Sequence, residues 1–291
     1  MSSDRPVPRR YGRSPFRVVL VHGGPGAAGS LAPVGRALAT SRGVLEPWQS
    51  ARTVAGEVEE LRAQIDRYAD PPVVLVGHSW GAWLSLLFAA EHPDRVSRVV
   101  LIGSGPLRAR DARDIPRRRE ERLSPAEREE FEGIDRKLSR GSPRGAGAAL
   151  RRLSELTEVS DSYCLVAHPK GRVRVDPRVY REVWAEAAEM RRSGALLRAA
   201  RRVRAPITVL HGKDDPHPFD GVVQPLRSAR LKVDAVLFER CGHAPWWERY
   251  ARTAFFRALR AATRDAGGRS SITLPRGGPV RNPPYTYRLS V

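Results

Sequence analysis

Apolar residues in the first hundred positions come in short unbroken runs, each closed by turn-forming glycines. Phe16-Arg-Val-Val-Leu-Val21 leads into His22-Gly-Gly-Pro-Gly26, Val73-Val-Leu-Val76 into Gly77-His-Ser-Trp-Gly81, and Val99-Val-Leu-Ile102 into Gly103-Ser-Gly-Pro106. Runs without polar alternation predict strands covered on both faces, as in a parallel sheet between helix layers. Between the runs the spacing turns helical. Residues 30–41 and Thr53–Tyr68 predict amphipathic helices, the second through Val54, Val58, Leu61 and Ile65, with Pro71-Pro72 as its stop. Ala82–Glu91 is apolar on nearly every side, the pattern of a helix inside a core, and Gly43–Glu46 is a further candidate strand.

After Leu107 the pattern changes to charged, Arg- and Glu-rich helical segments with no comparable strand. Ser124-Pro-Ala-Glu127 is a helix start, with Pro at the first helical position and Glu three residues after the Ser. Pro206-Ile-Thr-Val-Leu210 and Val233-Asp-Ala-Val-Leu-Phe238 restore the strand pattern, and Glu248–Thr263 predicts a closing amphipathic helix. Strand and helix alternating at this spacing predict an α/β protein. Its core is expected in residues 1–106 and 205–265, with a helical cap in 107–204 and a flexible tail in 266–291. The tail holds four Gly, four Pro, four Arg and no acid, and is expected to be dispensable.

Composition narrows the functional classes. With 291 residues, 41% of them hydrophobic, the chain can bury one large core. No apolar run approaches the roughly 18 residues of a membrane-spanning helix, and the N-terminus leads into no apolar signal segment. Cys164 and Cys241 are too few for a disulfide scaffold, so a cytoplasmic protein without a membrane partner is expected. The net charge of +19 would suit nucleic acid, but the basic residues are 47 Arg and 4 Lys spread along the chain, with +9 in 107–204 and +10 elsewhere. No stripe interleaved with aromatics emerges, and nucleic acid is not expected as a partner.

Gly77-His-Ser-Trp-Gly81 matches the G-x-S-x-G nucleophile elbow, in which a tight strand-to-helix turn exposes a serine beside its base. The context is what this chemistry demands: an all-apolar strand before it and a buried helix after it. The structural alternative is a glycine-flanked turn whose serine caps the helix. A phosphate-binding loop is the rival for the glycines at 23 to 29, but the Gly-Lys-Ser/Thr ending is missing.

With His22-Gly-Gly-Pro-Gly26, this motif resembles the α/β-hydrolase superfamily, in the branch that includes proline iminopeptidases and related small serine hydrolases. The resemblance implies a mostly parallel sheet flanked by helices, with Ser79 as nucleophile. It places the oxyanion-hole amides on Gly24 and Trp80, and Trp80 also opens a helix whose dipole favours negative charge. Leu210-His-Gly-Lys-Asp-Asp-Pro216 resembles the family's Gly-x-x-Asp pattern and places the acid on Asp215, with Asp214 as the alternative. Cys241-Gly-His-Ala-Pro-Trp-Trp-Glu248 resembles the Gly-His-x-Pro-x-x-Glu loop and places the base on His243. His22 and His78 are read as orienting loops, His211 and His217 as flanking the acid, and Cys241 as a small buried residue. Neither metal nor cofactor is expected, since no His-Glu-x-x-His or paired Cys-x-x-Cys occurs.

Two departures from the family pattern stand out. Only about 15 residues precede the first parallel strand, so a small sheet is expected, and Glu46-Pro-Trp-Gln49 replaces the usual Asp- and Arg-rich stretch after the fourth strand. The resulting expectation is a serine hydrolase acting on a small acyl substrate, an ester, thioester or amide. A proline iminopeptidase is the alternative, and a non-catalytic binding protein on this fold is the rival of another class. Oligomeric state is not legible.

Overall fold

The valine- and leucine-rich runs do form one sheet. The computed structural model describes residues 7–139, 145–166 and 176–264. In chain order it contains β1 (Arg9–Tyr11), β2 (Phe16–Val21), α1 (Ala32–Leu38), β3 (Gly43–Glu46), α2 (Val54–Tyr68), β4 (Val73–His78), α3 (Trp80–Glu91) and β5 (Val96–Ile102). The segment between β5 and the next strand carries α4 (Ile115–Glu120), α5 (Pro125–Ser139), α6 (Ala146–Asp161), α7 (Pro177–Arg192) and α8 (Ala195–Ala200). Then come β6 (Ile207–Gly212), α9 (Asp220–Ser228), β7 (Val233–Phe238) and α10 (Arg252–Ala262).

Strand order is β1-β3-β2-β4-β5-β6-β7, parallel throughout except for β1, which pairs antiparallel with β3. Seven strands correct the expectation of a small sheet. The strand that the pattern did not announce is β1, three residues, Arg-Arg-Tyr, with no apolar alternation. Its tertiary anchor is Tyr11, whose hydroxyl donates to Glu46 Oε2 at 2.6 Å.

Alternate residues of each central strand enter two separate cores, as the pleat requires. Val19, Val21, Leu75, Val99, Leu101 and Val209 pack with α2, α3, α7, α8 and α9, whereas Val18, Leu20, Val74, Val76, Val100 and Leu210 pack with α1 and α10. Helix α3 is buried along residues 80–89, which is why its pattern is apolar all round. In the inserted region Ser124 and Glu127 exchange the two hydrogen bonds of a capping box, at 2.9 and 3.3 Å. Val183, Ala187 and Leu196 of α7 and α8 share the core cluster of α3, so these two inserted helices pack against the helix that opens after β4. The closing helix starts at Arg252, later than its apolar spacing predicts, because residues 245–250 are taken up by turns that aim Glu248 inward. The proposed tail lies outside the described residues. Among the described residues no helix is long and apolar enough to cross a membrane.

Candidate active site

Strand β4 ends in a turn that only glycines on both sides allow. A Cβ on Gly77 would lie 2.2 Å from the Gly81 carbonyl oxygen, and one on Gly81 would lie 2.0 Å from that of Val21. Between them Ser79 is held at φ 54°, ψ −119°, a conformation that costs an L-residue about 1–3 kcal/mol. Its N–H donates to the Ile102 carbonyl at 3.0 Å, and its side chain makes no capping hydrogen bond to α3. The capping-serine alternative therefore fails. Ser79 lines a cavity of about 160 Å3 with Trp80, Trp83, Arg119, Trp184 and His217 among its walls. A larger hollow of about 620 Å3, between residues 12–18 and 39–43, contains none of the predicted site residues.

The loop after β2 passes directly over the serine, since a Cβ on Gly23 would come 3.1 Å from that of Ser79. Gly24 follows at φ +100°, in a turn closed by the Ala27 N–H to the Gly23 carbonyl. This loop is braced by the stretch that departs from the family pattern. Gln49 donates to the His22 carbonyl at 2.8 Å and accepts from the Gly26 N–H at 3.1 Å, and Glu46 accepts from the Gly29 N–H at 2.9 Å. On the other side, the Trp80 indole donates to Glu57 Oε2 at 2.9 Å.

Glu57 is fully buried, and burial pushes its carboxyl up to about 8 from an ordinary 4.5. Between those values the folded chain keeps a proton that the unfolded chain has lost, so this group's contribution falls as pH rises. The difference reaches about 3 kcal/mol by pH 7. Glu57→Gln, which keeps the acceptor for Trp80, should be more stable than the parent at pH 8, with the advantage vanishing near pH 4.5. Thermal melts across that range test it, and a pH-independent difference would contradict the assignment.

At the ends of β6 and β7 the chain brings Asp215 and His243 together. His243 Nδ1 donates to Asp215 Oδ2 at 2.8 Å. The other carboxylate oxygen receives His217, through Nδ1 at 2.7 Å and the backbone N–H at 2.9 Å. Burial would raise the Asp215 carboxyl, but the two imidazoles hold it well below its usual range. Burial lowers His243, and Asp215 more than offsets it, leaving His243 above the ordinary imidazole value; His217 stays below it, burial prevailing. Asp214 turns elsewhere, accepting from the Cys241 N–H at 3.1 Å.

The His243 loop is fixed from both layers. His78 is half-buried, and desolvation lowers it to about 3, so its neutral ring donates from Nε2 to the His243 carbonyl at 3.1 Å. The His243 N–H donates to the carbonyl of Asp161 at the end of α6. Glu248 collects the N–H groups of Gly242, Tyr163 and Cys164 at 2.8 to 2.9 Å, tying the inserted region to the loop. Cys241 is buried, and burial pushes its thiol up, away from reactivity. The sequence reading missed Asp161 and Arg119, which pair through both carboxylate oxygens at 2.7 and 2.6 Å beside the histidines, and gave His217 no part. Only the placement of His217 two residues after Asp215 could have signalled it.

Asp161, His217 and His243 place donor atoms within 4.8 Å of one another. As a metal site the set fits poorly. Arg119 occupies both Asp161 oxygens, and a cation there would oppose the guanidinium.

A family model described as the alpha/beta hydrolase family matches residues 18–254. The chain belongs to that family. Among curated proteins, lipase LipV of Mycobacterium tuberculosis is 34% identical over 112 residues, which is 32% of this chain and 40% of the relative. Protein ABHD8 of Homo sapiens is 41% identical over 58 residues, 20% of this chain and 13% of the relative. The matches thus span less than half of either relative. Among solved structures, VinJ superposes with a TM-score of 0.63 at 17% identity, covering 88% of this chain and 95% of that one. Proline iminopeptidase of Mycobacterium smegmatis gives 0.57 at 17%, covering 87% and 92%. At such identity the structures speak for the fold. Membership of the alpha/beta hydrolase family supports a hydrolase activity.

Proposed function

We propose that the protein is a serine hydrolase that cleaves a small ester, thioester or amide through an acyl-enzyme. Ser79 Oγ attacks the carbonyl carbon, and its proton passes to His243 Nε2. The oxyanion is held by the N–H groups of Gly24 and Trp80. Collapse expels the leaving group, which takes the proton from His243, and water then releases the acyl group from Ser79 by the same steps in reverse. Asp215 keeps the His243 proton on Nδ1, so that Nε2 is free to accept, and stabilises the cation that forms.

The observation that carries this reading is the 2.8 Å bond from His243 to a fully buried carboxylate, made at the sheet edge to which β4 delivers a strained serine. The test is labelling by a fluorophosphonate probe, with the modified peptide mapped by mass spectrometry, alongside turnover of short acyl aryl esters. Labelling confined to Ser79 is expected. An unlabelled, inactive chain would favour a binding protein on this fold.

Proline iminopeptidase is the second reading, favoured by one structural neighbour. Such an enzyme must hold a cationic amine, and the cavity is lined instead by Arg119 and Arg191. Short acyl aryl esters should accordingly exceed proline arylamide in kcat/KM. A proline arylamide should also be no better a substrate than its uncharged N-acylated form. Clear preference for the free amine would restore the iminopeptidase reading.

A further inference from the structure

We propose that the cavity at Ser79 is built for an acyl group bearing a carboxylate, and that Arg191 binds that carboxylate. The proposal rests on the serine-hydrolase reading for its reaction, and on the cavity alone for its ligand.

Arg191 sits in the last turn of α7 and lines the same cavity as Ser79. Its guanidinium lies 5.4 Å above the Trp83 ring, which in turn stacks on Trp184 at 5.9 Å and 9°. Both tryptophans also line the cavity. Such a cation–π contact supplies no acceptor to the five N–H donors of the guanidinium. Among the described residues none of these donors has an acceptor. The glutamates of its own helix are engaged elsewhere: Glu182 with Arg52, Glu186 with the Val54 N–H and Glu189 with Arg192.

The other basic groups around the cavity are engaged. Arg119 is paired with Asp161, and the imidazoles of His217 and His243 both donate to Asp215. Among the described residues that line the cavity with Ser79, Arg191 is thus the one cation without an acidic partner. A guanidinium without an acid partner matches an anion, and its planar fork of donors matches a carboxylate bidentately. The stacked indoles beside it offer an apolar wall for the carbon chain joining that carboxylate to the scissile carbonyl. Burial also depresses the Arg191 guanidinium with no acid to oppose it, a deficit that a bound carboxylate would remove.

The experiment compares mono-4-nitrophenyl esters of adipate, suberate and sebacate with the same esters methylated at the distal carboxyl. At one or more chain lengths the free acid should be turned over about tenfold more efficiently, chiefly through KM, since a charge-assisted hydrogen bond is worth at least that factor. Arg191→Gln should bring the ratio to about one, and Arg191→Lys should leave it intermediate. The acid ratio should also fall with added salt. A binding arm runs without turnover: Ser79→Ala should bind the monoamide of one of these diacids more tightly than its diamide by calorimetry, and the added Arg191→Gln change should erase the difference. Equal treatment of acid and methyl ester at every length, or a preference that survives Arg191→Gln, overturns the proposal. Labelling of Ser79 and methyl-ester turnover without acid preference would sink this proposal alone. Acid-selective binding without labelling would sink the hydrolase reading alone.

Discussion

Ser79→Ala should abolish fluorophosphonate labelling and reduce kcat/KM on aryl esters by about 10⁴-fold or more, while the melting temperature stays within a few degrees of the parent. The two halves of this expectation come from the same turn. Chemically, the only hydroxyl presented by the β4–α3 turn is removed, and no neighbour can replace it: Cys241 is buried with its thiol pushed up, and Ser85 donates to the Gly81 carbonyl at 2.7 Å inside α3. Structurally, Ser79 caps nothing, so alanine loses no fold hydrogen bond, and it keeps the Cβ that the strained backbone already accommodates. Surface-scale effects of about 0.5 kcal/mol are expected. Ser79→Gly is the control, since glycine tolerates φ 54° and should stabilise the fold by up to about 1–3 kcal/mol while being equally inactive. Residual turnover above a few per cent of the parent in Ser79→Ala would end the acyl-enzyme mechanism.

What the sequence disclosed is what local chemistry dictates. The turn at Ser79 needs glycine at 77 and 81, because any Cβ there meets backbone at about 2 Å. The inner parallel strands need apolar residues on both faces, so β2, β4, β5 and β6 stand out as runs, and the edge strand β7 does so with Asp234 on an open face. The motif positions of Asp215 and His243 lie at strand ends for the same reason. Elements held by tertiary contacts were not visible. Strand β1 has no pattern of its own and depends on β3 and Glu46 for its place. Asp161 and Arg119 are separated by 42 positions in a charged region where nothing distinguishes a buried ion pair from solvated charges. Arg191 is one of 47 arginines, and only packing against Trp83 sets it apart. The glutamine at 49 registered as a departure, and the structure gives it a role as the brace of the Gly24 loop.

The neighbouring aspartates should respond very differently to the same change, Asp215→Asn lowering kcat/KM by about 10³–10⁴-fold and Asp214→Asn by no more than a few-fold. Asp214 accepts one backbone N–H, from Cys241, and an asparagine carbonyl can accept it as well. Asp215 accepts from three donors through two oxygens, and an amide offers only one oxygen. Two of the three donors, the backbone N–H and the Nδ1–H of His217, converge on Oδ1. A backbone N–H cannot become an acceptor, so the asparagine oxygen is drawn to that side and its NH2 group is left facing His243. His243 must then present a bare Nδ1 and carry its proton on Nε2, the tautomer that cannot accept from Ser79. The pH profile gives a second readout with a definite sign. In the parent, activity should fall as pH drops through a value above the ordinary imidazole, because Asp215 holds the His243 proton. In Asp215→Asn the larger counter-charge is gone and burial weighs more heavily against the cation, so the acidic limb of whatever activity survives should move to lower pH. Initial-rate profiles on one aryl ester for both variants decide the matter: equal losses, or a limb that does not move, would take the acid's role away from Asp215.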